Sequence, residues 1–332
     1  MTTMANTLST SVVHVLGPGK LKVGNARLAF TTGKGSPTRL DPRKLQTILC
    51  YGNVGVTDDA MTLLFRHGVQ TAWLSPGGNR FRGRLVGGCD SSVVLRMAQH
   101  KIAASPTLQL RLARRIVADK IESQIEAARH YRKQGKQGAA EALTALEPLG
   151  RAGKSAESLE SLRGVEGMAA KAWFGLLGKL FAPPWTFSKR VRRPPTDPVN
   201  ALLSLGYMFL TQRMTARCQA EGLETALGAL HEFRPGRPSL ACDLIEPLRT
   251  PLTDRWVIGL CNQKQVQPSD FEKADDQGVR LTQEKFPAVL ADWEQYWSSA
   301  DGDTRLDQTV GKFIEAARRI SGESFSFPDE ED

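Results

Sequence analysis

The chain predicts an α+β fold: a small β-rich N-terminal domain over residues 1–89, a larger all-α domain over residues 90–322, and an acidic tail over 323–332. Three observations carry this. Up to about Leu85, short runs rich in Val, Ile, Leu and Thr are separated by Gly and Pro, the pattern of strands and turns. From Asp90 onward apolar residues recur at helical spacing over long segments. The last residues, Phe327–Asp332, are acidic and carry almost nothing to bury, so they are expected to be disordered.

Each element follows from local chemistry. The first ten residues are polar and expected to fray. Val12, Val13 and Val15 form an apolar run, and Leu28–Thr32 and Gln46–Cys50 are further strands. One helix interrupts them: Thr57 caps it, Asp58 and Asp59 suit the positive end of its dipole, and Gly68 ends it after His67. Strands resume at Thr71–Leu74 and Phe81–Val86. Period-two alternation puts Arg80, Arg82 and Arg84 on one face of the last strand, either a solvated face or a DNA contact.

Helices are expected at Ser91–Ala103 and at Pro106–Gln134, the latter striped by Leu108, Leu112, Ile116, Ile121 and Ile125. Another begins at Glu141–Leu146, and Gly150–Ser155 reads as a loop before an amphipathic segment opening near Glu166. Prolines at both ends of Ala182–Pro195 exclude a regular helix, leaving a basic loop with Lys189, Arg190, Arg192 and Arg193. Trp185 and Phe187 in that loop either pack inward or stack on an unpaired base, and the second reading is favoured here. Asp197 caps the next helix with Pro198 in its first turn, and Val199, Leu202, Leu203, Leu210 and Met214 form its buried stripe. Trp256–Asn262 continues the helical core, Pro268–Leu281 reads as a short hairpin or loop, and Thr282–Ser298 and Asp303–Ser321 close the domain.

Composition narrows the function classes. The net charge of +9 and a pI near 9.4 suit a polyanionic partner. Cys50, Cys89, Cys218, Cys242 and Cys261 are scattered, odd in number and form no C-x-x-C pair, which argues for reduced thiols in the cytoplasm rather than a disulfide frame or zinc site. No signal-peptide pattern opens the sequence, and no apolar run reaches membrane-spanning length.

The chemistry-bearing stretch is His231–Arg249. A histidine is followed by a Pro235-Gly236 turn between Arg234 and Arg237, then by Ser239 as a helix N-cap and the apolar run Leu240, Leu244, Leu248. Asp243 and Glu246 lie three apart, on one helix face, within reach of a folded-back His231. An imidazole and carboxylates set between arginines suit a hard divalent cation working on a phosphodiester; a solvated acidic helix is the bland alternative. Glu166, between Gly164 and Gly167, is either a close-approach carboxylate or a first-turn complement to the helix dipole. Asn200 either braces the histidine or bonds backbone. His67 sits at a helix C-terminus, and His14, His100 and His130 have no carboxylate at ligand spacing, so none is assigned chemistry.

Together these blocks resemble the CRISPR adaptation integrases, the Cas1 family. They are Gly164-Val165-Glu166-Gly167, Pro194-Pro195-Thr196-Asp197-Pro198-Val199-Asn200, Gly228-Ala229-Leu230-His231, Gly236-Arg237-Pro238-Ser239-Leu240 and Asp243-Leu244-Ile245-Glu246-Pro247-Leu248-Arg249. Trp173 stands where the family usually has tyrosine, and Glu224-Thr225 replaces a common Asp-Pro. The resemblance implies metal-dependent insertion of short DNA into a CRISPR array, with Glu166, His231 and Glu246 as ligands of Mg²⁺ or Mn²⁺ and Asp243 and Asn200 supporting them. The residues taken as DNA contacts, to protospacer and repeat, are Lys189, Arg190, Arg192, Arg193, Arg234, Arg237, Arg249 and Arg84. The implied partners are a second copy, paired through the β-rich domain, and a Cas2 dimer. A non-catalytic DNA-binding scaffold and a mobile-element transposase of the same fold are the alternatives.

Overall fold

The computed structural model of the chain describes residues 12–24, 27–33, 36–85, 87, 93–274 and 278–321. The acidic tail and Cys89 lie outside them. In chain order the elements are β1 (Val12–Leu16), β2 (Gly19–Gly24), β3 (Arg27–Thr31), β4 (Thr38–Leu40), β5 (Thr47–Tyr51), β6 (Val54–Val56), α1 (Asp58–Arg66), β7 (Gln70–Leu74) and β8 (Phe81–Leu85). There follow α2 (Val93–Ala104), α3 (Pro106–Lys133), α4 (Ala139–Ser155), α5 (Leu159–Leu180), α6 (Pro198–Ala220), α7 (Ser239–Leu244), α8 (Glu246–Leu248) and α9 (Arg255–Asn262). The hairpin β9 (Phe271–Lys273) and β10 (Val279–Leu281) precedes α10 (Phe286–Ser299) and α11 (Gly302–Ser321). A β-rich N-terminal region followed by a larger helical one is the expected α+β order.

By internal packing the chain divides into two compact units: Met1–Gly88 with Phe181–Ala216 and Leu252–Gly302, and Cys89–Leu180 with Arg217–Pro251 and Asp303–Asp332. The segment 90–322, expected as one helical domain, is therefore shared between them. Hydrophobic periodicity marks where helices lie but not which core they join, because a helix stripe is satisfied by any complementary apolar face.

In the first unit one four-stranded sheet has the order β1-β5-β7-β8, with β1, β5 and β7 parallel and β8 antiparallel to β7. Its inner strand β5 is buried at every residue, as a strand covered on both faces must be. The second sheet, β4-β3-β2-β6, is built on the β2–β3 hairpin. Val15, Leu21, Leu28, Phe30, Ile48 and Cys50 form a core that Ala60 and Leu64 of α1 join. Thr57 caps α1 as expected, its hydroxyl accepting from the Ala60 N–H at 3.3 Å. The strands β2, β4 and β6 were not anticipated: β4 and β6 are only three residues long, and β2 is broken up by glycine and lysine.

The helices of this unit carry an aromatic core. Phe209 of α6 packs on Trp293 at 5.6 Å and Phe286 at 6.4 Å, and Trp293 on Trp256 at 5.0 Å and Trp297 at 5.6 Å. Beneath them lies a buried polar network. His14 Nε2 meets Glu294 Oε1 at 2.8 Å, its Nδ1 meets the Tyr51 hydroxyl at 2.8 Å, and Arg213 reaches both Glu294 oxygens at 2.5 and 2.6 Å. His14, given no role from spacing, has its carboxylate 280 residues away.

The second unit is helical. Ile116, Val117, Ile121, Ile125 and Ala128 line the buried face of α3, and Leu162, Val165, Ala169, Trp173 and Leu176 that of α5. The expected loop at Gly150–Ser155 is the last turn and a half of α4, since Gly150 and Gly153 pack against Ile121, Ile125, Val117 and Val165 of α3 and α5. Consequently α5 begins at Leu159, and Glu166 lies two turns inside it rather than at its start. Helix-compatible glycines mark close packing here, not a break.

Candidate metal centre and nucleic-acid interface

The centre is assembled around Asp243. Its carboxylate is fully buried and accepts from the backbone N–H groups of Ala229 at 2.6 Å, Leu230 at 3.0 Å and His231 at 3.0 Å. It also holds His231 Nδ1 at 2.6 Å. Gly228 permits this: a Cβ there would lie 2.8 Å from the His231 carbonyl oxygen and 2.9 Å from Asp243 Oδ2. The carboxylate at Nδ1 accepts from that nitrogen and turns Nε2 outward, toward Glu246. Nε2 stands 3.9 Å from Glu246 Oε1.

The turn after His231 is self-supporting. Gly236 takes φ +75°, which an L side chain would resist, and the Arg237 N–H closes on the Arg234 carbonyl at 3.0 Å. Ser239 does not cap α7; it is that helix's first residue, and its hydroxyl donates to the Glu232 carbonyl at 3.0 Å. Beyond Leu244 the helix breaks at Ile245, resumes as α8, and widens into a π-helical turn over Arg249–Asp254. Pro247 and Pro251 explain this, since neither has an N–H to continue the regular ladder.

Glu246 is buried at 2 % exposure. Arg249 pairs with its Oε1 at 2.7 Å, and Lys120 Nζ lies 2.7 Å from Oε2. Burial alone would raise this carboxyl, but Arg249, Lys120 and His231 together outweigh it and hold the pKa down at about 2. The same Lys120 ammonium pairs with Glu166 Oε1. Arg163 ties α5 to the histidine segment, donating to the Leu230 carbonyl at 3.2 Å and pairing with Glu232 at 2.9 Å. Thus Glu166, His231 and Glu246, 80 residues apart at the extremes (246 − 166), are gathered in one unit with Asp243 behind the histidine.

Lys120 was missed from the sequence. Its signal was legible in principle: it sits among Ile116, Val117, Ile121 and Gln124 on the buried stripe of α3, where a lysine must be paired. Among the described residues no three His, Cys, Asp or Glu side chains are drawn close enough to cage a metal as they stand. The carboxylates instead close on the Lys120 ammonium. The donor set nevertheless fits a hard divalent ion: two carboxylates and an imidazole oriented by Asp243.

Several expected contributors are held by other partners. Asn200 does not brace His231: its amide is consumed by Asp197 Oδ2 at 2.6 Å, the Lys189 carbonyl at 3.0 Å, the Val191 N–H at 2.9 Å and Arg190 at 2.8 Å, all within the first unit. Arg190, expected on DNA, donates to Asn200 Oδ1, the Val191 carbonyl and Ser204 Oγ and stacks over Tyr207 at 5.4 Å. Trp185 and Phe187 are buried, with Trp185 Nε1 donating to the Cys261 carbonyl at 3.1 Å, so the inward reading holds and the base-stacking one is corrected. Arg249 is paired with Glu246, Arg237 is tied to Ser239 and the Glu232 carbonyl, and Arg84 donates to Gln212 at 2.7 Å. Lys189, Arg192, Arg193 and Arg234 are exposed.

Asp243→Ala is expected to cost stability as well as activity. It leaves three backbone N–H groups without their acceptor, at roughly 1–3 kcal/mol each if they stay buried, and frees the imidazole to rotate. A lowered melting temperature together with slower strand transfer is the expected pair of readings; an unchanged melting temperature would contradict the anchoring role.

The helical unit thus brings Glu166 and Glu246 onto the Lys120 ammonium and sets an Asp243-oriented His231 beside Glu246, in a chain that also carries a β-rich unit. The family model for CRISPR associated protein Cas1 matches residues 13–295. The chain is 36 % identical over 306 residues to the CRISPR-associated endonuclease Cas1 2 of Rhodospirillum rubrum, covering 88 % of this chain and 87 % of that one. Its fold is similar to a Cas1 protein from Thermotoga maritima (TM-score 0.81, 20 % identity, 96 % and 100 % covered) and to a casposase bound to integration product (TM-score 0.75, 22 % identity, 96 % and 92 % covered). It is also similar to a chain of a Cas6-RT-Cas1–Cas2 complex (TM-score 0.74, 22 % identity), covering 99 % of this chain and 37 % of that one. This chain belongs to the Cas1 family.

Proposed function

We propose that the protein is a metal-dependent DNA endonuclease and integrase that inserts new spacer DNA into a CRISPR array by 3′-hydroxyl attack on a phosphodiester. The observation that carries the reading is the convergence of Glu166 and Glu246 on one cationic position beside the Nε2 face of an Asp243-oriented His231. Family membership, a curated Cas1 endonuclease relative and a casposase-like fold support it.

Glu166, His231 and Glu246 would hold Mg²⁺ or Mn²⁺. When bound, the ion would supply Lewis acidity at the target phosphodiester and favour ionisation of the attacking hydroxyl. Asp243 keeps the His231 proton on Nδ1 and so keeps Nε2 available as a donor atom. Arg249 holds the Glu246 carboxylate in place and offsets part of the local negative charge. A ligand set retained in full at the family positions favours an enzyme over a non-catalytic scaffold. A Cas1 endonuclease relative 36 % identical over 88 % of the chain favours that assignment over a transposase.

The proposed partners are DNA (protospacer and CRISPR repeat), a second copy joined through the β-rich region, and a Cas2 dimer, acting in the cytoplasm. No helix among the described residues is long and apolar enough to cross a membrane. With Cas2, a 3′-hydroxyl donor and an array-bearing plasmid, strand transfer is expected in Mn²⁺ or Mg²⁺ and its loss in chelator. Transfer persisting in chelator, or none in either metal, would end this reading. Light scattering on the isolated protein checks the dimer.

The loop from Phe181 to Pro195 refines the DNA path. Because Arg190 is committed to Asn200 and Ser204 of α6, the exposed loop cations left to meet phosphates are Lys189, Arg192 and Arg193. Replacing these three by alanine is expected to weaken duplex binding alike for every sequence. The log–log salt slope should fall by about 0.9 for each lost contact. Arg190→Ala is expected to lower the melting temperature instead. An unchanged slope in the triple variant would make the loop a connector.

A further inference from the structure

Lys120 stands where none of the family motifs points, and the structure gives it an unusual position. Its side chain, 7 % exposed, rises from α3 between Glu166 of α5 and Glu246 of α8 and pairs with both. Two carboxylates drawn to one position, one of them buried, repel, and the buried Glu246 charge is poorly hydrated, so the pair needs a counter-ion. An ammonium on a flexible four-carbon stem supplies one without closing the site permanently. One turn further along the same face of α3, Gln124 Oε1 is buried and accepts no hydrogen bond. A buried carbonyl left idle beside a lysine that has somewhere else to go is a vacant landing place for that lysine.

We propose that Lys120 is a resident counter-ion that a divalent metal must displace, its ammonium moving from the Glu166–Glu246 pair to Gln124 Oε1 when the ion enters. The inference rests on the metal-centre reading above and adds to it a positioning residue that sets metal affinity. In the metal-free protein Lys120 holds the two carboxylates together at ligand spacing. On loading, the ammonium and the cation repel, so the affinity of the site reflects the cost of moving Lys120 and the quality of its new acceptor. The two residues of α3 therefore act with opposite sign. Removing the ammonium removes the competitor; removing the Gln124 acceptor leaves the displaced ammonium without a partner.

The experiment is calorimetric titration of Mn²⁺ into the full-length protein at one fixed pH, with metal-free and metal-saturated melting temperatures alongside. Lys120→Met is expected to bind Mn²⁺ about tenfold more tightly, a coupling of ordinary size, and to melt lower without metal yet gain more from its addition. Lys120→Arg keeps the charge and is expected to show no such gain. Gln124→Met is expected to weaken Mn²⁺ binding. Equal or weaker binding by Lys120→Met overturns the proposal, because a merely structural lysine would lose affinity when cut back. Should Lys120→Met not fold, the Gln124→Met titration decides, and an affinity matching wild type overturns the proposal. Absence of any Mn²⁺ heat in the wild-type protein is a different failure, that of the metal centre itself.

Discussion

Glu246→Ala is expected to reduce strand transfer to background, a loss of about 10³-fold or more, the scale seen when one member of a unit acting together is removed. Glu246 is the ligand candidate that meets Lys120 and Arg249 and stands beside the His231 ring. Its removal therefore has a second consequence, larger than in Glu166→Ala or His231→Ala. It leaves the largely buried Arg249 without its carboxylate and deprives Lys120 of one of two, a change worth about 3–5 kcal/mol when a buried pair is broken. Glu166 and His231, at 27 % and 28 % side-chain exposure, have water to replace lost partners. The expected pattern is chemistry lost in all three variants, DNA binding retained in all three, and a clear fall in melting temperature only for Glu246→Ala. Glu246→Gln keeps the shape and separates the two effects. Full transfer by any correctly folded variant removes that residue from the site.

The same carboxyl predicts a pH dependence. Its pKa is depressed from 4.5 to about 2 in the folded protein. A depressed acid stabilises the fold above its unfolded value and loses that contribution as pH falls through the folded one. A shift of this size corresponds to about 3 kcal/mol, present above pH 4.5 and gone near pH 2.

The largest effect on stability alone is expected at Glu294. Burial would raise its carboxyl, but Arg213 and His14 hold it down, also at about 2. Glu294→Ala takes away the carboxylate that Arg213, at 2 % side-chain exposure and with its guanidinium over Trp297, meets with both oxygens. The expected cost is about 3–5 kcal/mol, or a melting temperature lower by roughly 10 °C for a unit of this size. Glu294→Gln keeps the shape and loses the charge, so its acid limb between pH 4.5 and 2 should be shallower than wild type. Calorimetry over that range checks both. A Glu294→Ala variant melting with wild type would show that the network contributes nothing net to stability. Burial of Tyr51 and the Glu294 charge push the tyrosine hydroxyl well above its ordinary range, so it stays a neutral hydrogen-bonding member throughout.

How much of this was legible in the chain differs by element. The strands β1, β3, β5, β7 and β8 and the helices α1, α3, α6 and α11 are local statements: alternation, caps and periodic stripes decide them within a few residues. The histidine half of the centre is nearly as local. His231, Asp243 and Glu246 lie within one short stretch, and helical spacing already put the two carboxylates on a common face, where they meet opposite nitrogens of one ring. What the sequence by itself determined, then, is what short-range geometry controls: the order of elements, the family motifs and the donor atoms. Only the tertiary structure decided which charges those donors meet. Lys120 looked like one more lysine on a long amphipathic helix, 46 residues from Glu166. Arg190, Asn200 and Trp185 looked free for DNA or metal until the loop folded onto them, and Arg249 looked like a phosphate contact until Glu246 claimed it. The physical reason is common to all of them. A polar side chain that folding takes out of water must find a partner, whether far off in the chain, as for Lys120 and Trp185, or close by, as for Arg190 and Arg249, and which one it meets is set by how the backbone folds around it.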